Sequence, residues 1–119
     1  MTEPDVSIDN PRIVRGAESR YEIHVDDSGS PAGIAAFVDA PGADGVIERI
    51  FPHTVVGEQF GGKGLASKLV RVALDETIAD GHRIVAMCPY VASWVEKHPD
   101  YQEHVVEATQ AHLRALGIR

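Results

Sequence analysis

The apolar residues of this chain change their spacing near its middle. Before Gly57 they fall in short runs broken by turn formers, and after Gly61 they recur at three- and four-residue intervals. Within Arg12–Val25, Tyr21, Ile23 and Val25 alternate with Glu22 and His24, the period of a strand with one buried face. Asp26-Asp27-Ser28-Gly29-Ser30-Pro31 gathers turn-forming residues and closes that strand. Ile34–Val38 predicts a second strand, followed by the turn Pro41-Gly42-Ala43-Asp44-Gly45. Val46–Val56 is a third apolar segment, interrupted at Pro52. Proline has no N–H to give to a ladder, so Pro52 marks a bulge, a break or an edge. The segment also reads as two strands, Val46–Phe51 and His53–Val56. Together these pieces predict an antiparallel meander.

The second half predicts helices around one strand. Lys63–Asp80 puts Leu65, Leu69, Val72 and Ala73 on one helical stripe, with Ala66, Val70 and Ile78 beside it. Gly81 follows where a left-handed residue ends a helix. Arg83–Met87 is a nearly continuous apolar run, as in a strand buried on both faces. Pro89 opens a helix through Lys97, with Val91, Trp94 and Val95 assigned to the core, and Pro99 stops it. A last helix is expected from about Tyr101 to Leu116, carrying Val105, Val106 and Leu113 and capped by Gly117. The order predicts a single α/β (α+β) domain over residues 12–119. Residues 1–11, polar and acidic, read as a loose lead-in.

Charge narrows the partners. A net charge of −7 argues against broad nucleic-acid binding, which needs a basic face, and favours a cationic partner such as an amine. No run approaches the roughly 20 apolar residues of a membrane helix, and the start of the chain lacks the pattern of a secretory leader. A lone cysteine forms no intrachain disulfide and suits the cytoplasm. Cys88, His98 and His104 lack zinc-ligand spacing, so no metal is expected.

The densest local signal is Gly57-Glu58-Gln59-Phe60-Gly61-Gly62-Lys63-Gly64-Leu65-Ala66-Ser67, between an apolar strand and an amphipathic helix. Glycines let the backbone turn sharply and approach a ligand, and the first amides of a helix have no partner within it. With the positive end of the helix dipole they suit a phosphate. Lys63, Lys68 and Arg71 gather positive charge in an otherwise acidic chain. Gly57–Lys63 fits G-x-x-x-x-G-K, but Gly64 stands where a P-loop needs a hydroxyl for magnesium. Gly62-x-Gly64 is followed by Ser67 and not by the glycine or alanine of a dinucleotide fingerprint. What remains is a cradle for the pyrophosphate of a different cofactor, or a plain connection whose lysines face water.

His53-Thr54-Val55-Val56, followed by Gly61-Gly62-Lys63-Gly64-Leu65-Ala66, resembles the acetyl-coenzyme A loop of the GNAT acetyltransferases. Cys88-Pro89-Tyr90-Val91 and the run from Trp94 through Lys97-His98-Pro99-Asp100-Tyr101 resemble the small YjdJ-type branch of that superfamily. The resemblance implies a mixed, mainly antiparallel sheet flanked by helices, shortened relative to full-length members. It implies an acetyl-CoA-dependent N-acetyltransferase acting on a small-molecule or protein amine, as a monomer or homodimer. Acetyl-CoA contacts are then expected from Val55, Val56, Gly61, Gly62, Lys63, Gly64, Leu65, Ala66 and Ser67. Gly61 stands where the family pattern has Gln or Arg, so a side-chain contact is lost there and Lys63 is placed to compensate. Three residues are implied as catalytic: Cys88 as nucleophile, His53 as general base and Tyr90 as proton donor to the leaving thiolate. Glu48 and Glu58 are candidate amine contacts and Lys97 a candidate phosphate contact. The alternatives are a coenzyme A-binding module with little or no catalytic activity, and a small interaction protein whose loop binds nothing.

Overall fold

The computed structural model describes residues 7, 10–16, 19–26, 28–42, 44–61 and 64–117. The expected lead-in lies mostly outside the described residues. The segment Arg12–Val25 is a hairpin of β1 (Arg12–Gly16) and β2 (Arg20–His24), not one strand. Ser19 takes a positive φ of 57° at the reversal, and Gly16 pairs with Arg20 across it. Periodicity records which residues face the core; it does not record where the chain doubles back.

Two later strands are each broken in the middle. β3 (Gly33–Ala36) and β4 (Val38–Pro41) part at Phe37, whose amide donates to the carbonyl of Ser19. β5 (Ile47–Phe51) and β6 (Thr54–Val56) part at Pro52-His53, so Pro52 marks a break. The halves join different sheets. One sheet, β1-β2-β3-β6, is antiparallel throughout. The other sets β5 between β4, antiparallel, and β7 (Arg83–Ala86), parallel. The fold is therefore mixed and mainly antiparallel, with helices packed on it.

The long helix α1 (Leu65–Ala79) buries Leu65, Leu69, Val70, Ala73, Leu74 and Thr77. The apolar members of this set pack with Tyr21, Ile23, Ala35 and Phe51 of the sheets, and with Phe37 at the break between β3 and β4, in one apolar cluster. The buried arc is rotated from the predicted stripe: Leu74 and Thr77 are in it, whereas Val72 is 36% exposed. Gly81 does take the left-handed conformation just past the helix, at φ 77°. The second helix, α2 (Pro89–Glu96), adds Val91, Trp94 and Val95 to the core, as expected.

The predicted helix Tyr101–Leu116 is not continuous. Pro99–His104 forms a 3-10 turn, the chain then extends, and only α3 (Gln110–Ala115) is α-helical. Val105 bridges Ile84 in parallel, and the amide of Val106 donates to the carbonyl of Ile84 at 2.9 Å. Consecutive β-branched residues fit a sheet edge better than a helix, and β7 offers the edge. At the start of α3, Nδ1 of His112 accepts the amide of Thr109 at 2.9 Å. The hydrogen therefore sits on Nε2, which donates to Glu48 Oε1 at 2.6 Å and ties α3 to β5.

At the centre of the second sheet lies Arg49, 1% exposed. Its Nε and Nη2 donate to Asp39 at 2.7 and 3.0 Å, and Nη1 donates to the Tyr21 hydroxyl at 2.9 Å and to Asp80 at 3.2 Å. The guanidinium also lies 4.7 Å from the Phe37 ring centroid. Burial by itself would lower the pKa of Arg49, but Asp39, Tyr21 and Asp80 together outweigh that and leave it raised. Burial likewise pushes Asp39 up, and the guanidinium brings it below its ordinary value. One side chain thus fastens β5 to β4, to β2 and to the end of α1.

Candidate functional site

The break at Pro52-His53 opens a wedge. β5 and β7 pair as far as Phe51 and Ala86, and the amide of Cys88 adds a last bond to the Phe51 carbonyl at 2.8 Å. Beyond that point one wall continues as β6, which pairs with β3, and the other turns into α2. The edge of β6 facing the gap follows from the pleat. The carbonyl of His53 accepts from Ala36 and the amide of Gly57 donates to Ala32, so alternate residues of β6 face β3. The N–H and C=O groups of Thr54 and Val56 point the other way, into the wedge.

A 3-10 turn, Glu58–Phe60, connects β6 to α1. Gly61 caps it and donates its amide to the carbonyl of Glu58, so that amide is already used. Gly62 and Lys63 lie outside the described residues. Gly64 is the N-cap of α1 at φ 73°, with open space where a Cβ would go, so left-handed backbone and not crowding favours glycine there. The first bond returning from α1 to its cap is that of Lys68 to Gly64 at 3.2 Å. The amides of Leu65, Ala66 and Ser67 precede it and have no partner within the helix. No side chain caps this end and the first turn holds no acid. Free amides and the helix dipole make it suited to an anion.

The other wall is α2. Cys88 is its N-cap and is buried at 4% exposure, whereas Tyr90 is 39% exposed. Trp94 Nε1 donates to Ser67 Oγ at 3.0 Å, joining α2 to the first turn of α1. Beside this bond lies a small cavity of about 180 Å³ lined by Ser67, Tyr90, Ser93, Trp94, Lys97 and His98. His98 stacks on Trp94 with centroids 3.8 Å apart, and the Tyr101 ring meets Trp94 edge-on at 4.8 Å. The Tyr101 hydroxyl donates to Asp75 at 2.5 Å; burial and this bond raise its pKa. The Lys-His-Pro-x-Tyr run thus braces the indole that holds α2 against α1.

The sequence-predicted residues divide accordingly. His53 and Cys88 flank the point where the ladder ends, His53 exposed and Cys88 buried. Val56 packs against the core, while Val55 is 56% exposed on the outer face of the sheet and its backbone faces β3, so the expected contact of Val55 with the cofactor has no support in this geometry. Glu58 is exposed in the 3-10 turn, and Lys97 is exposed at the end of α2. Glu48 is held by His112 instead of standing free for an amine. Among the described residues no group of three or more His, Cys, Asp or Glu is placed to hold a metal. None of their helices is long and apolar enough to cross a membrane. A larger recess of about 670 Å³ lies on the far side of α2, lined by Val95, Glu96, Val105 and Val106 but by no residue of β6 or α1. Sequence reasoning missed Thr54, whose buried hydroxyl has no hydrogen-bond partner, because nothing in the sequence marks an unmet bond.

A family model described as GCN5-related N-acetyl-transferase matches residues 20–104, from β2 to the 3-10 turn after α2, and so takes in the whole wedge. Among solved structures, the chain is similar to a GCN5-like protein from Staphylococcus aureus described as an N-acetyltransferase. The two share 24% identity over 85% of this chain and 93% of that one, with a TM-score of 0.59. It is also similar to the ribosomal-protein-alanine N-acetyltransferase of Brucella melitensis biovar Abortus 2308. There the identity is 21% over 77% of this chain and 67% of that one, with a TM-score of 0.51. No curated protein sequence matches. These structural likenesses concern the fold.

Proposed function

The chain belongs to the GCN5-related N-acetyltransferase family, and on that footing we propose that it transfers an acetyl group from acetyl-coenzyme A to an amine. The observation that carries this is the start of α1: unpartnered amides at Leu65, Ala66 and Ser67, without an acid, beside a strand whose edge faces an open wedge. The residues fit the cofactor from end to end. Leu65, Ala66 and Ser67 would hold the pyrophosphate through their amides, with Lys63 supplying charge. Thr54 and Val56 offer the donors and acceptors that an extended pantetheine needs. Tyr90, Trp94 and Lys97 would flank the nucleotide in the cavity beside Ser67.

When bound, acetyl-CoA supplies an activated thioester. Around it, this chain's residues divide the work. His53, exposed at the mouth of the wedge, would take the proton that the amine releases. Tyr90, exposed on the first turn of α2, would give one to the leaving thiolate. Cys88, buried, would line the thioester end; if its sulfur took the acetyl group, the C–S bond to coenzyme A would break, the thiol proton would pass to the leaving sulfur, and the amine would then displace the cysteine sulfur. The acceptor is an amine, small or protein-borne, and the chain's charge of −7 favours a cationic one.

Calorimetric titration with acetyl-CoA tests this reading. Wild type should bind. Gly64→Ala adds left-handed strain alone, whereas Gly64→Glu adds a carboxylate beside the amides. Affinity should fall at least tenfold further in Gly64→Glu than in Gly64→Ala, with circular dichroism showing both variants folded. A wild type that binds no acetyl-CoA would end the acetyltransferase reading.

A further inference from the structure

Among the described residues, two buried side-chain polar atoms lack a hydrogen-bond partner: His24 Nδ1 and Thr54 Oγ1. His24 sits on β2, its Nε2 held by Glu22 at 3.0 Å, separated from β6 by β3, and nothing around it points to a ligand. Thr54 is different because of where it stands. It is the first residue of β6 after the break, and its cross-strand partner is the fully buried Ala35. Cross-strand partners share a face, so the Thr54 side chain lies on the side that α1 covers. On the opposite wall is Cys88, bonded through its amide to Phe51 and belonging to the apolar cluster with Val91 and Trp94. The inner end of the wedge is thus apolar, apart from one hydroxyl and one thiol.

A buried hydroxyl normally finds an acceptor. Thr77, fully buried on α1, donates to the Ala73 carbonyl at 2.7 Å, whereas Thr54 is half-buried with only its hydroxyl oxygen shut off from water. For Thr54, valine would fill nearly the same shape without leaving a polar group unmet, and valine occupies the next two positions of the strand. An unmet donor at the closed end of a ligand cleft is a donor held for the ligand.

We propose that Thr54 Oγ1 donates a hydrogen bond to the carbonyl oxygen of the acetyl thioester, so that the site distinguishes acetyl-CoA from free coenzyme A. This rests on the acetyltransferase reading above. The direction of the ligand follows from the fold. The start of α1, at one end of the wedge, takes the phosphates. The acyl group, at the far end of the pantetheine, reaches the break where Thr54 lies. The partner must be an uncharged acceptor, because an anion at this apolar end would be poorly solvated. A thioester carbonyl meets that requirement and the thiol of free coenzyme A does not.

The test compares wild type with Thr54→Val and Thr54→Ser, titrating acetyl-CoA and coenzyme A separately. Infrared difference spectra of acetyl-CoA labelled with ¹³C at the thioester carbonyl accompany the titrations. Thr54→Val should bind acetyl-CoA about five- to tenfold more weakly with unchanged affinity for coenzyme A, and Thr54→Ser should keep the preference. The carbonyl band should lie at lower wavenumber on wild type and on Thr54→Ser than on Thr54→Val. Without ligand, Thr54→Val should melt no lower than wild type. If Thr54→Val weakens both ligands equally, or if affinities and band stay unchanged, the assignment is overturned while the acetyltransferase reading stands. Wild type that binds both ligands but shows the carbonyl band at its position in water overturns it without any variant. Wild type that binds neither ligand overturns both.

Discussion

Arg49 and Thr54 lie on the two halves of one broken strand, and they solve the problem of a buried polar group in opposite ways. Arg49, on β5, makes four hydrogen bonds, to Asp39, Tyr21 and Asp80. Thr54, on β6, makes none through its side chain. Before the break the ladder is intact on both sides of β5, and polar side chains serve to fasten strands and helix together. After it β6 has lost its neighbour on one edge, and the unmet groups collect there: the strand amides, the threonine hydroxyl and, just beyond, the first amides of α1. The same chain therefore carries a closed polar centre and an open one. Polar groups that stabilise the fold are those already partnered, and groups left for a ligand weaken the fold until it binds.

The sharpest way to break the closed centre is Asp39→Ala. It removes the carboxylate that accepts two of Arg49's bonds and leaves a buried cation short of charge. Stability in urea denaturation should fall by about 3 kcal/mol. A smaller loss, about 1–2 kcal/mol, is expected from Glu48→Ala, which frees His112 and with it α3. Hydrogen exchange should quicken over Gln110–Ala115 more than elsewhere, whereas affinity for acetyl-CoA should not change.

Acid sharpens the same contrast. The carboxyl of Asp39 is depressed in the folded state, where Arg49 outweighs burial. Its contribution is therefore complete above the unfolded value of about 3.9 and is lost as pH falls through the lower folded value. Glu22 acts in the same direction, lowered chiefly by its bond to His24. Melting temperature should drop below about pH 4 in wild type and drop less steeply in Asp39→Asn, which starts lower at neutral pH. The open centre gives the smallest effect on stability. Thr54→Val should shift it by less than about 1 kcal/mol, upward if at all, because the hydroxyl it removes has no bond to lose.

Much of the fold is legible wherever a local rule decides it. Pro52 lacks an N–H, and the strand breaks at Pro52-His53. Gly64, Gly81 and Gly117 take positive φ at helix boundaries. The two-sided run Arg83–Met87 became the strand β7, and the three- and four-residue spacing after Gly61 became α1. The described residues of the glycine-rich segment, Gly57–Gly61 and Gly64, lie between β6 and α1, where the spacing of apolar residues changes from strand to helix.

What the sequence could not supply depends on neighbours distant along the chain. Val105 and Val106 left the expected helix because β7 presented a free edge at Ile84. Arg49 is buried because Asp39, Tyr21 and Asp80, which lie 10, 28 and 31 positions away, converge on it. Glu48 looked available for an amine until α3 brought His112 onto it. Thr54 is the extreme case, since a missing bond is a property of everything around an atom and of no residue by itself. Backbone sterics and periodicity act between near neighbours and can be read from order alone. Partnership of buried polar groups is settled only when the chain has closed on itself.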